Sequence, residues 1–174
     1  MLDIRQLSAN EIVQHVSALA AVLHDCVQGG ASVSFMSDFT LGDAEAFFES
    51  AWAAVERDER ILFAAFVDGE LVGTVQLILA MPPNQPHRGE VAKLLVHRSA
   101  RGQGIARRLM EQVEDAARKA GKTLLVLDTA TGGDAERLYA SMGWRQACVI
   151  PNYAMYPDGK FCATTIFWKQ LVTD

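Results

Sequence analysis

Residues 98 to 108 read Arg98-Ser99-Ala100-Arg101-Gly102-Gln103-Gly104-Ile105-Ala106-Arg107-Arg108, with four arginines and no acid. Glycines at 102 and 104 let the backbone bend tightly and bring its N–H groups close to a ligand, and a helical apolar period begins at Ile105. The first-turn amides of a helix have no intrahelical partner, and cations gathered there oppose the macrodipole by about 0.3–1 kcal/mol each. This combination predicts a seat for an anion, and a bound polyphosphate would offset the crowding of charge. A P-loop would end in Gly-Lys-Ser/Thr and a dinucleotide fingerprint would have Gly where Arg107 stands, so neither motif describes the turn.

Groups able to move protons stand on neighbouring elements. Glu90 precedes the β-rich run Val91 to His97 and Asp128 ends the run Thr123 to Asp128, so both carboxylates could face a cleft where these strands diverge. Tyr139 lies four residues after Ala135 on a short helical pattern, and a phenol with a pKa of about 10 can protonate a thiolate. From residue type alone each also has a structural reading: Tyr139 as half-buried packing, Glu90 as a strand-entry carboxylate, Asp128 as a strand terminator. His15, His24, His87 and His97 form no metal spacing with each other or with the cysteines, and no metal is expected. Cys26 falls in a helical pattern and Cys148 in a strand pattern, so burial is expected for both.

The elements that must position these residues follow from periodicity. Leu2 to Leu7 alternates as a strand, and Ile12, Val16, Leu19, Leu23 and Val27 trace one helix stopped by Gly29 and Gly30. Phe47 to Val55 marks a second helix started by Thr40 or Asp43. Ile61 to Val67 and Leu71 to Leu79, joined through Asp68-Gly69, predict an antiparallel hairpin. Strand 91–97, the Gly-rich turn, a helix from Ile105 to Ala120 and strand 123–128 make a βαβ unit, which requires a parallel pair. A short helix over 134–142 and strands over 144–150 and 162–168 complete an α+β class with a mixed sheet.

Length and composition narrow the function. The 174 residues suit one domain, and 50% hydrophobic against 21% charged residues gives enough apolar surface for a core. A net charge of -5 argues against a general nucleic-acid binder. The most apolar stretch, Leu71 to Met81, is shorter than the roughly 18 to 20 residues that span a bilayer, and the first ten residues have no signal-peptide pattern. Three cysteines at unrelated spacings, Cys26, Cys148 and Cys162, fit free thiols in the cytoplasm.

Val91 to His97 running into Arg101-Gly102-Gln103-Gly104-Ile105-Ala106 resembles motif A of the GCN5-related N-acetyltransferases, the GNAT family. The signature Arg/Gln-x-x-Gly-x-Gly/Ala is met by Arg101, Gly104 and Ala106, and Leu138-Tyr139 with Met142-Gly143-Trp144 resembles a second signature. The resemblance implies a GNAT fold over residues 1–174: a mostly antiparallel sheet of about seven strands with a central parallel pair, flanked by about four helices. It implies acetyl-CoA as cosubstrate, whose pyrophosphate would meet Arg101, Gly102, Gln103, Gly104, Ile105, Ala106 and Arg107. It further implies that the N–H of Val96 or a neighbour, with Leu94 and Leu95, holds the thioester carbonyl. Ala135 and Tyr139 would complete the cofactor side, with Tyr139 as general acid. Gly132 departs from the Asn found there in many members, and Arg98 from a frequent Pro.

A narrower likeness joins Gly29 to Val33, Phe35-Met36, Leu127-Asp128-Thr129 and Pro157-Asp158-Gly159 to the tabtoxin-resistance members of the family, which acetylate a small β-lactam amino acid. It makes Ser32, Phe35, Met36 and Asp38, with Tyr153 and Tyr156 opposite, the expected acceptor walls, and it favours Asp128 over Glu90 as base. The implied reaction is direct attack of a small primary amine on acetyl-CoA. Deprotonating a lysine-like amine at pH 7 costs about 4–5 kcal/mol, but an α-amine only about 1–1.5 kcal/mol, so a weak base suffices for an amino acid. Rival expectations are a protein or peptide N-acetyltransferase and a non-catalytic CoA-binding sensor. A homodimer is expected by analogy with the family.

Overall fold

The computed structural model describes residues 1–171. In chain order it runs β1 (Leu2–Gln6), α1 (Ala9–Gln14), α2 (Val16–Gln28), α3 (Leu41–Glu56), β2 (Arg60–Val67), β3 (Glu70–Ile78), β4 (Arg88–Val96), α4 (Ile105–Lys119), β5 (Leu124–Ala130), α5 (Asp134–Ser141), β6 (Arg145–Met155) and β7 (Phe161–Gln170). The strands form one sheet in the order β1-β2-β3-β4-β5-β7-β6. Only β4 and β5 pair in parallel; the other neighbours are antiparallel. This is the GNAT architecture that the motif resemblance implies, with five α-helices in place of about four. Among the described residues no helix is long and apolar enough to cross a membrane.

The fifth helix arises because the expected first helix breaks at His15. Its N–H is shared between Glu11 O at 3.0 Å and Ile12 O at 3.2 Å, and its ring packs edge-on against Phe66 at 5.3 Å. Ser8 and Glu11 form a capping box on α1, and Thr40 and Asp43 form one on α3, so each start is set by the local side chains. The β2–β3 turn holds Asp68 and Gly69 at φ 50° and 89°, as a two-residue turn matched to strand twist requires.

Both sheet faces are covered. Phe63, Val75, Leu77, Val91, Leu125 and Leu127 pack under α4 through Ile105, Leu109, Met110 and Val113. Leu62, Ala64, Phe66 and Leu95 pack against α1–α3 through Leu19, Leu23 and Phe48. Each such side chain contributes about 1.5–3 kcal/mol when buried, which fixes the helices and therefore the loops they carry. A buried Glu114 on α4 accepts from Trp144 Nε1 at 2.9 Å and from Lys169 Nζ at 2.7 Å, tying α4 to the β6–β7 side. Cys26 and Cys162 are buried, but Cys148 is exposed, because β6 is the edge strand and nearly all of its residues face solvent.

Two irregularities place the site. The parallel ladder consists of Arg88↔Leu124, Gly89↔Leu125 and Glu90↔Val126 and then stops. Beyond it β5 stays paired with β7 as far as Ala130↔Thr164. Register between β3 and β4 shifts between Thr74↔Leu95 and Gln76↔Ala92, and Lys93 in this bulge has φ 53°. The bulge bends β4 away from β5 just past the last parallel pair.

Candidate active site

A cleft of about 710 Å³ opens between the diverging strands, walled by Gly30 to Ser34, β4, the turn into α4, the end of β5, α5 and part of β6. Just past β4, the His97 N–H donates to Val72 O of β3 at 2.8 Å. Peptide groups alternate between the two edges of a strand, so the Val96 peptide faces the opposite edge, where no β5 residue is in register. Its carbonyl accordingly accepts from Arg101 Nε at 3.1 Å and from the Cys26 thiol at 3.5 Å, two groups that line the cleft. The Val96 N–H is thereby presented to the cleft.

The turn that follows is shaped for close backbone approach. Gly102 and Gly104 have φ 77° and 75°, which an L side chain adopts at a cost of about 1–2 kcal/mol, although added Cβ atoms would meet nothing within 4 Å. Gly104 caps α4 without a side-chain bond, and the first backbone bond back to it comes from Arg108 at 3.2 Å. The amides of Ile105, Ala106 and Arg107 are therefore without helical partners. Of the four arginines, Arg98 is committed elsewhere: its backbone N–H and Nε donate to Asp25 at 2.8 and 2.9 Å. Burial works to raise the Asp25 carboxyl, but these bonds outweigh it and hold it below the usual range. Arg107 donates to Ser141 Oγ at 2.7 Å, linking the first turn of α4 to the end of α5.

Across the cleft Tyr139 is 5% exposed and packs against Trp144 and Phe167 with centroids at 6.0 and 5.9 Å. Burial pushes its phenol well above the ordinary value, and the nearby Asp128 charge adds to the shift. The phenol therefore stays protonated at neutral pH. Asp128 lines the same cleft from β5, held by the β5–β7 ladder opposite Ile166.

Of the residues expected from sequence, Leu94, Leu95, Val96, Arg101, Gly102, Gly104, Ile105, Ala106, Arg107, Asp128, Ala135, Tyr139, Ser32 and Tyr153 all line this cleft. Ser32 is fixed by donating to Met155 O at 2.8 Å, and Tyr153 projects where β6 breaks register between Ile150 and Ala154. Five expected residues do not line it. Gln103 is exposed on the turn. Glu90 sits at the last parallel pair, before the strands part, with its carboxylate 3.5 Å from Arg88 Nη1. Phe35 stacks on Phe39 at 4.0 Å and meets Phe47 edge-on, so it packs in the helix-side core. Met36 and Asp38 are exposed on the outside of that loop.

Lys93 was not singled out by sequence reasoning, yet it lines the cleft at the bulge. The available signal was a single charge inside the apolar run Val91-Ala92-Lys93-Leu94-Leu95-Val96. Burial lowers its pKa, with the Asp128 charge acting the other way. Gly132, the departure noted above, has φ 85° and donates its N–H to Glu136, which also accepts from Thr165 at 2.7 Å. These two bonds, the Thr165 bond the stronger, keep the Glu136 carboxyl below its usual range and fix the entry into α5. No group of three or more metal-binding side chains occurs among the described residues.

Comparison with known proteins agrees with the fold. The chain is 34% identical over 107 residues to an uncharacterized N-acetyltransferase from the hisH-hisA intergenic region of Azospirillum brasilense, covering 60% of this chain. The chain thus spans about three fifths of that relative's length, 61%. Its fold is similar to an N-acetyltransferase from Staphylococcus aureus Mu50, with a TM-score of 0.82 and 21% identity over 99% of both chains. It is also similar to the yncA protein of Salmonella typhimurium, solved with its cofactor acetyl-CoA, with a TM-score of 0.81 and 18% identity over 100% of this chain and 96% of that one. At these identities the two structures speak for the fold. The profile of the acetyltransferase (GNAT) family matches residues 29–144, more than half of the sequence and the whole span from the α2–α3 loop to α5, and the chain belongs to that family.

Proposed function

We propose that the protein is an acetyl-CoA-dependent N-acetyltransferase that acetylates the primary amine of a small molecule, an amino acid, an analogue or an antibiotic such as a β-lactam toxin, by direct attack in a ternary complex. The observation that carries this reading is the end of the parallel ladder at Glu90↔Val126, which presents the Val96 N–H to a cleft shared by the α4 N-terminus, Asp128 and Tyr139. The chain's groups fit acetyl-CoA. Unpartnered first-turn amides and positive-φ glycines suit a pyrophosphate, and the Leu94–Val96 edge suits an extended arm with amides of its own.

When bound, acetyl-CoA supplies an activated acetyl thioester. The Val96 N–H is placed to donate to the thioester oxygen, where charge develops. Asp128 receives the proton of the attacking amine, directly or through a water, and the buried Tyr139 hydroxyl gives its proton to the departing sulfur. Glu90, paired with Arg88 outside the cleft, has no place in this sequence. The sequence resemblance to tabtoxin-resistance members, carried by segments whose Ser32 and Asp128 line the cleft, supports a small amino-acid acceptor. Free thiols at Cys26 and Cys162 suit the cytoplasm, where acetyl-CoA is at hand.

The test is a thiol-release assay with acetyl-CoA against free amino acids, β-lactam amino acids, aminoglycosides, polyamines and peptide N-termini, with calorimetric titration of acetyl-CoA and ATP alongside. Turnover with one small-amine class is the expected result. Preference for peptide N-termini would overturn the acceptor class, and absence of acetyl-CoA binding would overturn the reading of the turn.

A further inference from the structure

We propose that Lys93 seats a carboxylate carried by the acceptor, so that the preferred substrate is a small amino-acid-like zwitterion whose amine meets Asp128 while its carboxylate meets Lys93. The proposal deepens the N-acetyltransferase reading and rests on it. Lys93 and Asp128 line one cavity from the two strands that diverge to form it. The ammonium is positioned rather than free: Nζ donates to Ser34 Oγ at 3.0 Å and stands 5.8 Å from the ring centroids of both Phe35 and Phe47. Two aromatic faces and one hydroxyl hold a cation without neutralising it.

An ammonium has three donors, and one is engaged here. Lys93 forms no ion pair among the described residues; burial acts against its charge, the Asp128 carboxylate supports it and the Arg60 guanidinium opposes it. A half-buried ammonium held by one hydroxyl and two ring faces keeps donors for an arriving carboxylate. Lys93, Asp128 and Tyr139 line the same cavity. A zwitterion offers each of these groups its complement. A peptide N-terminus does not, since its α-carbon carries an amide where the free amino acid carries a carboxylate.

The test compares each L-amino acid with its own α-amide, which removes the carboxylate charge, with rates referred to the free-amine fraction because the amide's amine is the less basic. For the wild-type chain the expected kcat/KM ratio of acid to amide is about ten- to a hundredfold, expressed in KM, since a hydrogen bond to a charged group is lost with the carboxylate. Lys93→Met should bring that ratio toward one, and Lys93→Arg should restore part of it. Equal rates for acid and amide in the wild type, or a ratio that survives Lys93→Met, would overturn the proposal, and the wild-type comparison decides even if a variant folds poorly. Calorimetric titration of the same acids and amides into the coenzyme A-saturated wild type gives a readout independent of turnover. Tighter binding of acids is expected, and no discrimination would count against the carboxylate seat. Failure of the parent reading is distinct: the protein would then bind neither acetyl-CoA nor coenzyme A.

Discussion

The two walls of the cleft are made by different means. The cofactor wall, residues 94 to 107, is nearly continuous in the chain and presents mainly backbone: the Val96 peptide, the glycines and the first amides of α4. The wall proposed for the acceptor brings together side chains from four distant places, Ser32 and Ser34 after α2, Lys93 in the β4 bulge, Asp128 on β5 and Tyr153 on β6. Backbone geometry is indifferent to most side-chain changes, so under the proposed function one wall would serve a constant ligand, while the other would change specificity residue by residue. Cross-ties hold the acceptor loops in place, with Ser32 on Met155 O and the Ser37 N–H on Pro157 O at 3.1 Å.

Substitutions that separate the walls sharpen this contrast. Tyr139→Phe keeps the packing and removes the proton, and should lower kcat by about 10²–10⁴-fold with little change in acetyl-CoA affinity. Steady-state kinetics with matched calorimetry checks it, and a parallel loss of affinity would place Tyr139 in binding instead. Asp128→Asn should lower turnover at pH 7 by about 10²-fold, the scale of a lost general base. Its deficit should narrow toward pH 9 in a pH–rate profile as the free-amine fraction rises. Gly104→Val forces a β-branched residue into φ 75° and should weaken acetyl-CoA binding by about tenfold, through about 1–2 kcal/mol of strain, with the acceptor preference unaltered.

The smallest effect concerns the tether behind the cofactor wall. Asp25→Asn leaves the Arg98 contacts without a charged acceptor and should cost about 1–2 kcal/mol at pH 7, read by denaturant melts. Asp25 is depressed in the folded chain, so its stabilisation is complete above the unfolded pKa of about 3.9 and disappears as pH falls through the lower folded value. Wild type and variant should therefore begin to converge below about pH 4 and meet only once pH falls below the lower folded value.

The contrast also explains what could be read from residues alone. The Asp68-Gly69 hairpin, the βαβ unit and the α4 turn are written in local chemistry, and the structure has each of them. At the break His15 packs edge-on against Phe66, 51 residues on, a contact of which local periodicity carries no trace. On the acceptor wall Ser32, Asp128 and Tyr153 reach the cleft, whereas Phe35 packs beneath it and Met36 and Asp38 point outward. Which residues of a loop face inward is set by partners such as Phe39 and Phe47, and spacing within the loop does not encode them. Glu90 failed for a related reason: the ladder ends one residue too late to free it, because the bulge begins after Ala92.

Lys93 adopts φ 53° within a strand, a conformation that suits glycine better than any residue with a side chain. Glycine there would relieve about 1 kcal/mol of backbone strain and raise the melting temperature by about 2–4 °C, while deleting the ammonium from the acceptor wall. Thermal tolerance and substrate discrimination thus compete for one position. Selecting this chain for heat resistance alone would drift toward a sturdier, less choosy catalyst, and the bulge is where that drift would begin.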